Sequence, residues 1–157
     1  MNYEERDPYG MYRVNNGTGT DLNSQGNGSL YTPTHQGPGP RLMGANTLIG
    51  NDVSNQDGDD LGEIKEIMLD VSSGRISYAV LSFGGFLSLG EKLFAVPWSA
   101  LKLDTVNKRF TVSIDKTRLE SAPGFDKDQW PDMADPEWAA GIHAYYGTTP
   151  RAETLMN

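Results

Sequence analysis

From residue 75 to residue 101 the apolar residues stand on consecutive positions rather than alternate ones, and this stretch organises the rest of the chain. In residues 75–83, Ile76, Tyr78 and Val80 fall on one face of an extended chain, while Ala79, Leu81 and Phe83 fall on the other. The next predicted strand, at about 91–96, repeats the pattern, with Phe94 and Val96 opposing Leu93 and Ala95. Strands that are apolar on both faces need cover on both. Residues 108–114 differ: Phe110, Val112 and Ile114 share one face and Arg109, Thr111 and Ser113 the other, the pattern of a sheet with one wet side.

The remaining elements follow from the same reading. Leu48, Ile49 and Val53 predict a first strand, and Asn55 to Asp60, with Asp57-Gly58 at its centre, a hairpin turn. A calcium loop is excluded there, because oxygen ligands at positions 1, 3 and 5, glycine at 6 and glutamate at 12 cannot be placed together. Residues 62–71 form a second strand, and Ser72-Ser73-Gly74 turns the chain into the third. Pro97 lacks a backbone donor and ends the fourth. Residues 101–103 make a short fifth and 108–114 the sixth. Asp115 is placed to cap a helix at 116–121, stopped by Pro123-Gly124. An irregular strap follows, then a helix opened by Asp135-Pro136 and closed by Gly147. Its Trp138, Ile142 and Tyr145 fall at i, i+4 and i+7, a face that must bury, and the outer face of the central strands is the expected partner.

Composition narrows the class. Of 157 residues, the first 44 hold eight of the 18 glycines and four of the nine prolines, which predicts a polar, low-complexity leader ahead of one compact domain. Tyr3, Tyr9, Tyr12 and Tyr31 are its natural anchors should a neighbouring subunit hold it. The net charge of −8 is spread along the chain with no basic stripe, which argues against nucleic acid and anionic membrane surfaces as partners. The absence of cysteine excludes disulfides and thiolate chemistry. No apolar run approaches the roughly 20 residues of a membrane span, and MNYEERDPYGMYRV lacks the basic-then-apolar order of a signal peptide. The expectation is a cytoplasmic protein with no membrane insertion.

Several motifs together resemble the PRC-barrel domain family. They are Gly50-Asn51-Asp52-Val53, the Asp-Gly turn, Leu61-Gly62-Glu63-Ile64 leading to Leu69-Asp70, Gly74-Arg75-Ile76, and, after a glycine-rich loop, Phe94-Ala95-Val96-Pro97-Trp98. The resemblance covers about residues 43–122, and residues 122–147 resemble an extension common in bacterial stand-alone members. It implies an all-β fold: a small six-stranded PRC-type β-barrel with a short C-terminal helical extension and a polar N-terminal tail. The expected divisions are 1–43 tail, 44–115 barrel, 116–147 helix and strap packed on the barrel, and 148–157 C-terminal tail. The family includes the cytoplasmic barrel of purple-bacterial photosynthetic reaction centres and that of the ribosome maturation factor RimM, where it serves assembly and interaction. This chain carries neither the membrane helix of the first nor the N-terminal domain of the second, so neither specific task transfers.

Candidate chemistry is sparse. His35 and His143 are too few for a histidine metal site, and Ser88 and Ser99 lack a His/Asp signature. Residues 84–90, GGFLSLG, lack the helix and lysine of a phosphate loop; they present Phe86, Leu87 and Leu89 on glycines, as an adhesive tip would. Asp126, Asp128, Asp132 and Asp135 in the strap are turn and cap residues, with a weak divalent cation site as the alternative. The expectation is a non-enzymatic protein without cofactor or metal. It is a structural or interaction module that self-associates into a homo-oligomer or larger assembly through the barrel outer face, the apolar loop and the tail, with contacts from Phe83, Phe86, Leu87, Leu89, Leu93, Trp98, Trp130, Trp138 and Tyr145. The alternative is an adaptor or sensor barrel for another protein or a small ligand, in stress response or in ribosome or membrane-complex assembly.

Overall fold

The structure, a computed structural model of the chain, describes residues 5–6, 42–83, 92–104 and 106–150. In chain order these hold helix α1 (Ala45–Leu48), strands β1 (Asp52–Ser54), β2 (Asp60–Asp70), β3 (Arg75–Phe83) and β4 (Lys92–Pro97), a 3₁₀ turn (Trp98–Ala100), β5 (Leu101–Asp104), β6 (Arg109–Val112), α2 (Lys116–Glu120), β7 (Phe125–Asp126) and α3 (Pro136–Tyr146). The fold is mostly β, as the sequence predicts, with three corrections to its elements. Leu48 and Ile49 do not begin a strand: the Gly44 carbonyl accepts from the Thr47 and Leu48 amides, which winds one helical turn, and Gly50 at φ 87° then turns the chain into β1. Leu48 is buried in either conformation, so burial alone could not distinguish them. The strap is not wholly irregular, since Phe125 and Asp126 pair with Leu93 and Lys92 as a seventh strand. At α2, Asp115 has the extended backbone of a cap but its side chain makes no capping bond.

The hydrogen-bonded order is β5-β6-β1-β2-β3-β4-β7, so the ladder does not close. The chain itself shows that the sheet curls. Laid flat, β5 and β4 would lie about 24 Å apart at the usual strand spacing. They are joined by only Trp98–Ala100, a link that reaches at most about 14 Å from Pro97 to Leu101. The ends of the sheet therefore come together around one core, which takes Val53, Leu61, Leu81, Phe94, Val96 and Phe110 from five different strands. α2 adds Leu119, with no exposed surface, to the same core.

Two local features shape the barrel. β1 pairs antiparallel with β2 through the Asp-Gly turn and parallel with β6, Val53 opposite Phe110. β2 is bulged, and Gly62 takes φ 104° with its α-carbon pressed against the Ser82 carbonyl of β3, where a methyl group would collide with the oxygen. Only glycine fits that position, because both the backbone angle and the close approach exclude a side chain.

Candidate interaction surface

β3 and β4 are buried on both faces, as their consecutive apolar residues predict. The inner face (Ala79, Leu81, Phe83, Phe94, Val96) lines the barrel core, and the outer face is covered by α3 together with Phe125 and Met133 of the preceding strap. That helix is set by its caps. The Asp135 carboxylate accepts from the Glu137 amide at 3.0 Å, Pro136 opens the first turn, and Gly147 at φ 68° closes the last as Thr148 N donates to the His143 carbonyl. Ile142 is buried against Tyr78 and Ala95, and the Trp138 ring meets the Tyr78 ring edge-on at 5.4 Å.

The helix face is rotated from the expected one. Tyr146, not Tyr145, joins Trp138 and Ile142 on the outer cluster. Tyr145 turns toward α2, where its hydroxyl donates to the Arg118 carbonyl and its ring lies 5.0 Å from the Arg118 guanidinium, which donates back to the Tyr145 carbonyl at 2.8 Å. Trp138, Ile142 and Tyr146 are spaced i, i+4, i+8, a signal equally present in the sequence; the cationic partner of Tyr145 decides between the two readings.

The outer cluster has its own electrostatics. Burial pushes the hydroxyls of Tyr78 and Tyr146 above their usual range, with Tyr145 adding to the effect on Tyr146. His143, whose Nδ1 lies 2.7 Å from Thr148 Oγ1 and whose ring stands 5.8 Å from Tyr78, has its pKa lowered by burial.

The sequence-predicted contact residues do not gather in one place. Phe83 is buried in the barrel core with the Lys116 ammonium 5.6 Å from its ring, and Leu93, paired with Phe125 of β7, is 2% exposed. Trp98 is half-buried, its ring 5.8 Å from Phe110 where the sheet ends meet. Trp138 is half-buried in the outer cluster. Phe86, Leu87 and Leu89, like the leader tyrosines and His35, lie outside the described residues.

Trp130 is the one that faces outward, 43% exposed. The strap that carries it passes close to β4 because position 124 is glycine: a methyl group there would stand 2.9 Å from the Leu93 carbonyl and 3.0 Å from the Phe94 ring. Phe125 then pairs with Leu93, the Gln129 amide closes a turn onto Asp126, and the Trp130 indole N–H donates to the Lys127 carbonyl at 2.7 Å. Its ring lies 5.0 Å from that of Phe125. A shallow cleft of about 310 Å³, lined by Lys92, Gly124, Phe125, Asp126 and Gln129, opens along the same strap.

Four of the aspartates are occupied locally. Asp132 accepts from the Ala134 amide and Asp135 caps α3. Asp70 accepts from Ser72 and Ser73, and Asp104 from Val106 and Asn107, and these bonds hold both carboxyls below their usual range. Among the described residues no group of three or more His, Cys, Asp or Glu is placed to hold a metal ion, and no helix is long and apolar enough to cross a membrane.

No curated protein matches the chain. The family model of the PRC-barrel domain matches residues 40–119, from just before α1 into α2. That span is just over half of the sequence and carries the Gly62 bulge and the β4-Pro97-Trp98 corner. The chain belongs to the PRC-barrel family.

Proposed function

We propose that this chain is a non-catalytic interaction module that self-associates, with Trp130 on the strap as a central contact and the loop bearing Phe86, Leu87 and Leu89 as a second. The observation that carries the reading is a large aromatic ring held in one orientation by its own backbone hydrogen bond and by Phe125, yet 43% exposed on the strap that follows β7, the edge strand of a ladder that does not close. A ring fixed in advance loses little freedom on docking, and tryptophan is among the residues that dominate interface energies, at roughly 2 kcal/mol or more each. The family supports the class, since a small β-barrel of this kind is an interaction module.

Light scattering of the full chain at high micromolar concentration tests the reading. The expected mass is a multiple of the 17.2 kDa chain. Changing Phe86 and Leu87 to serine together is expected to weaken the association. A strict monomer at that concentration overturns self-association.

A further inference from the structure

Arg6 belongs to none of the surfaces above. Its guanidinium lies on Gly50: the three atoms nearest a methyl group built at that position are Cζ, Nη1 and Nε of Arg6. Gly50 also takes φ 87°, where a side chain is strained. Position 50 is therefore bare for two reasons, one in the backbone and one in what rests on it. The floor is fixed on both sides, as the Gly50 amide donates to the Ile64 carbonyl at 2.6 Å and the Ile64 amide to the Asn51 carbonyl at 2.9 Å.

Two further facts mark a polar site rather than a chance crossing of chains. Asn51, next to the floor, is 0% exposed, and neither its Oδ1 nor its Nδ2 has a hydrogen-bond partner among the described residues. A buried amide with both ends unspent is rare in a packed domain. Arg6 Nε is itself shielded from solvent, and drawing a guanidinium out of water costs free energy that only matched contacts offset. A planar, weakly hydrated guanidinium can lie flat on a bare peptide, whereas a compact ammonium cannot cover it.

We propose that Gly50 is the floor of a docking site for an arginine side chain, filled by Arg6 of the chain's own N-terminal segment. An arginine-bearing peptide then competes with Arg6 for the site. The proposal stands independently of self-association, because a chain that is monomeric by light scattering still shows the competition.

The test titrates full-length wild-type and Arg6→Ala chains into a fluorescent peptide of residues 1–10, MNYEERDPYG, followed by anisotropy. In the wild type the tethered Arg6 competes at an effective concentration on the order of millimolar, so the Arg6→Ala chain is expected to bind the peptide at least about tenfold tighter. A peptide carrying Arg6→Ala is expected to bind neither chain, and an Arg6→Lys chain to bind as Arg6→Ala does. Thermal melting monitored by circular dichroism confirms that each chain is folded. Equal binding to wild type and Arg6→Ala, no binding to either, or equally strong binding of the arginine-free peptide overturns the proposal. So does an Arg6→Lys chain that excludes the peptide as the wild type does, because charge alone would then fill the site.

Discussion

The outer face of β3 and β4 and the strap at Trp130 both read as apolar surface in the sequence, but the structure treats them oppositely. On the outer face Tyr78, Ala95 and Ile142 are buried, and the cover comes from α3 of the same chain together with Phe125 and Met133 of the strap. On the strap the Trp130 ring lies tilted against Phe125, itself packed on the outer cluster, and remains 43% exposed. An apolar strand face states that something covers it, not which segment does. A surface left for a partner is recognised differently, by an aromatic ring that local hydrogen bonds hold in place after the fold has used the rest.

That contrast can be broken from the covered side first. Phe94, 1% exposed in the barrel core, is expected to cost about 3–5 kcal/mol when changed to alanine, read by denaturant unfolding, with no separate effect on association. Ile142→Ala empties the outer cluster and is expected to cost about 2–3 kcal/mol. Because α3 covers the sheet as one helix, native-state hydrogen exchange should show α3 losing protection while the β2–β3 pairing retains it. If both lose protection together, the cover and the barrel form one cooperative unit. Asp135→Ala removes the cap bond to Glu137 and is expected to cost about 1 kcal/mol, again felt first in α3.

The covered side also responds to pH through His143. Burial holds His143 below its usual range, so the unfolded chain binds that proton more readily than the folded one. Its contribution to stability is complete above about pH 6.5 and is lost as the pH falls through and below that value. The difference in unfolding free energy between wild type and His143→Gln, followed from neutral to mildly acidic pH, should show that slope. An unchanged difference would mean the ring is solvated in the folded state.

Much of this was legible in the residues. The consecutive apolar positions of β3 and β4 announced two covered faces, and Phe110, Val112 and Ile114 announced the one wet side of β6 and the residues after it, because side-chain direction in a strand is fixed by backbone geometry. Asp135 and Gly147 marked the ends of α3, since caps are local chemistry. The misread pieces depend on distant partners. Tyr145 turns away because Arg118, 27 residues earlier, receives it. β7 forms because Gly124 lets the strap reach β4. The Leu48 turn is decided by the Gly44 carbonyl and the bend at Gly50, not by its apolar pattern. Leu93 read as contact surface, yet it is 2% exposed on a strand that pairs with β7 of its own chain.

The smallest expected effect on folding belongs to the uncovered side, and it carries the functional claim. Trp130→Ala is expected to change stability by no more than about 0.5–1 kcal/mol, as truncation of a partly exposed side chain does. Sedimentation velocity of the full-length wild type and this variant, across a micromolar concentration series, tests self-association through the strap most directly. The expected result is a concentration-dependent oligomer for the wild type and a shift toward the 17.2 kDa monomer for Trp130→Ala, at concentrations where both chains remain folded. Identical sedimentation of the two at every concentration would contradict it.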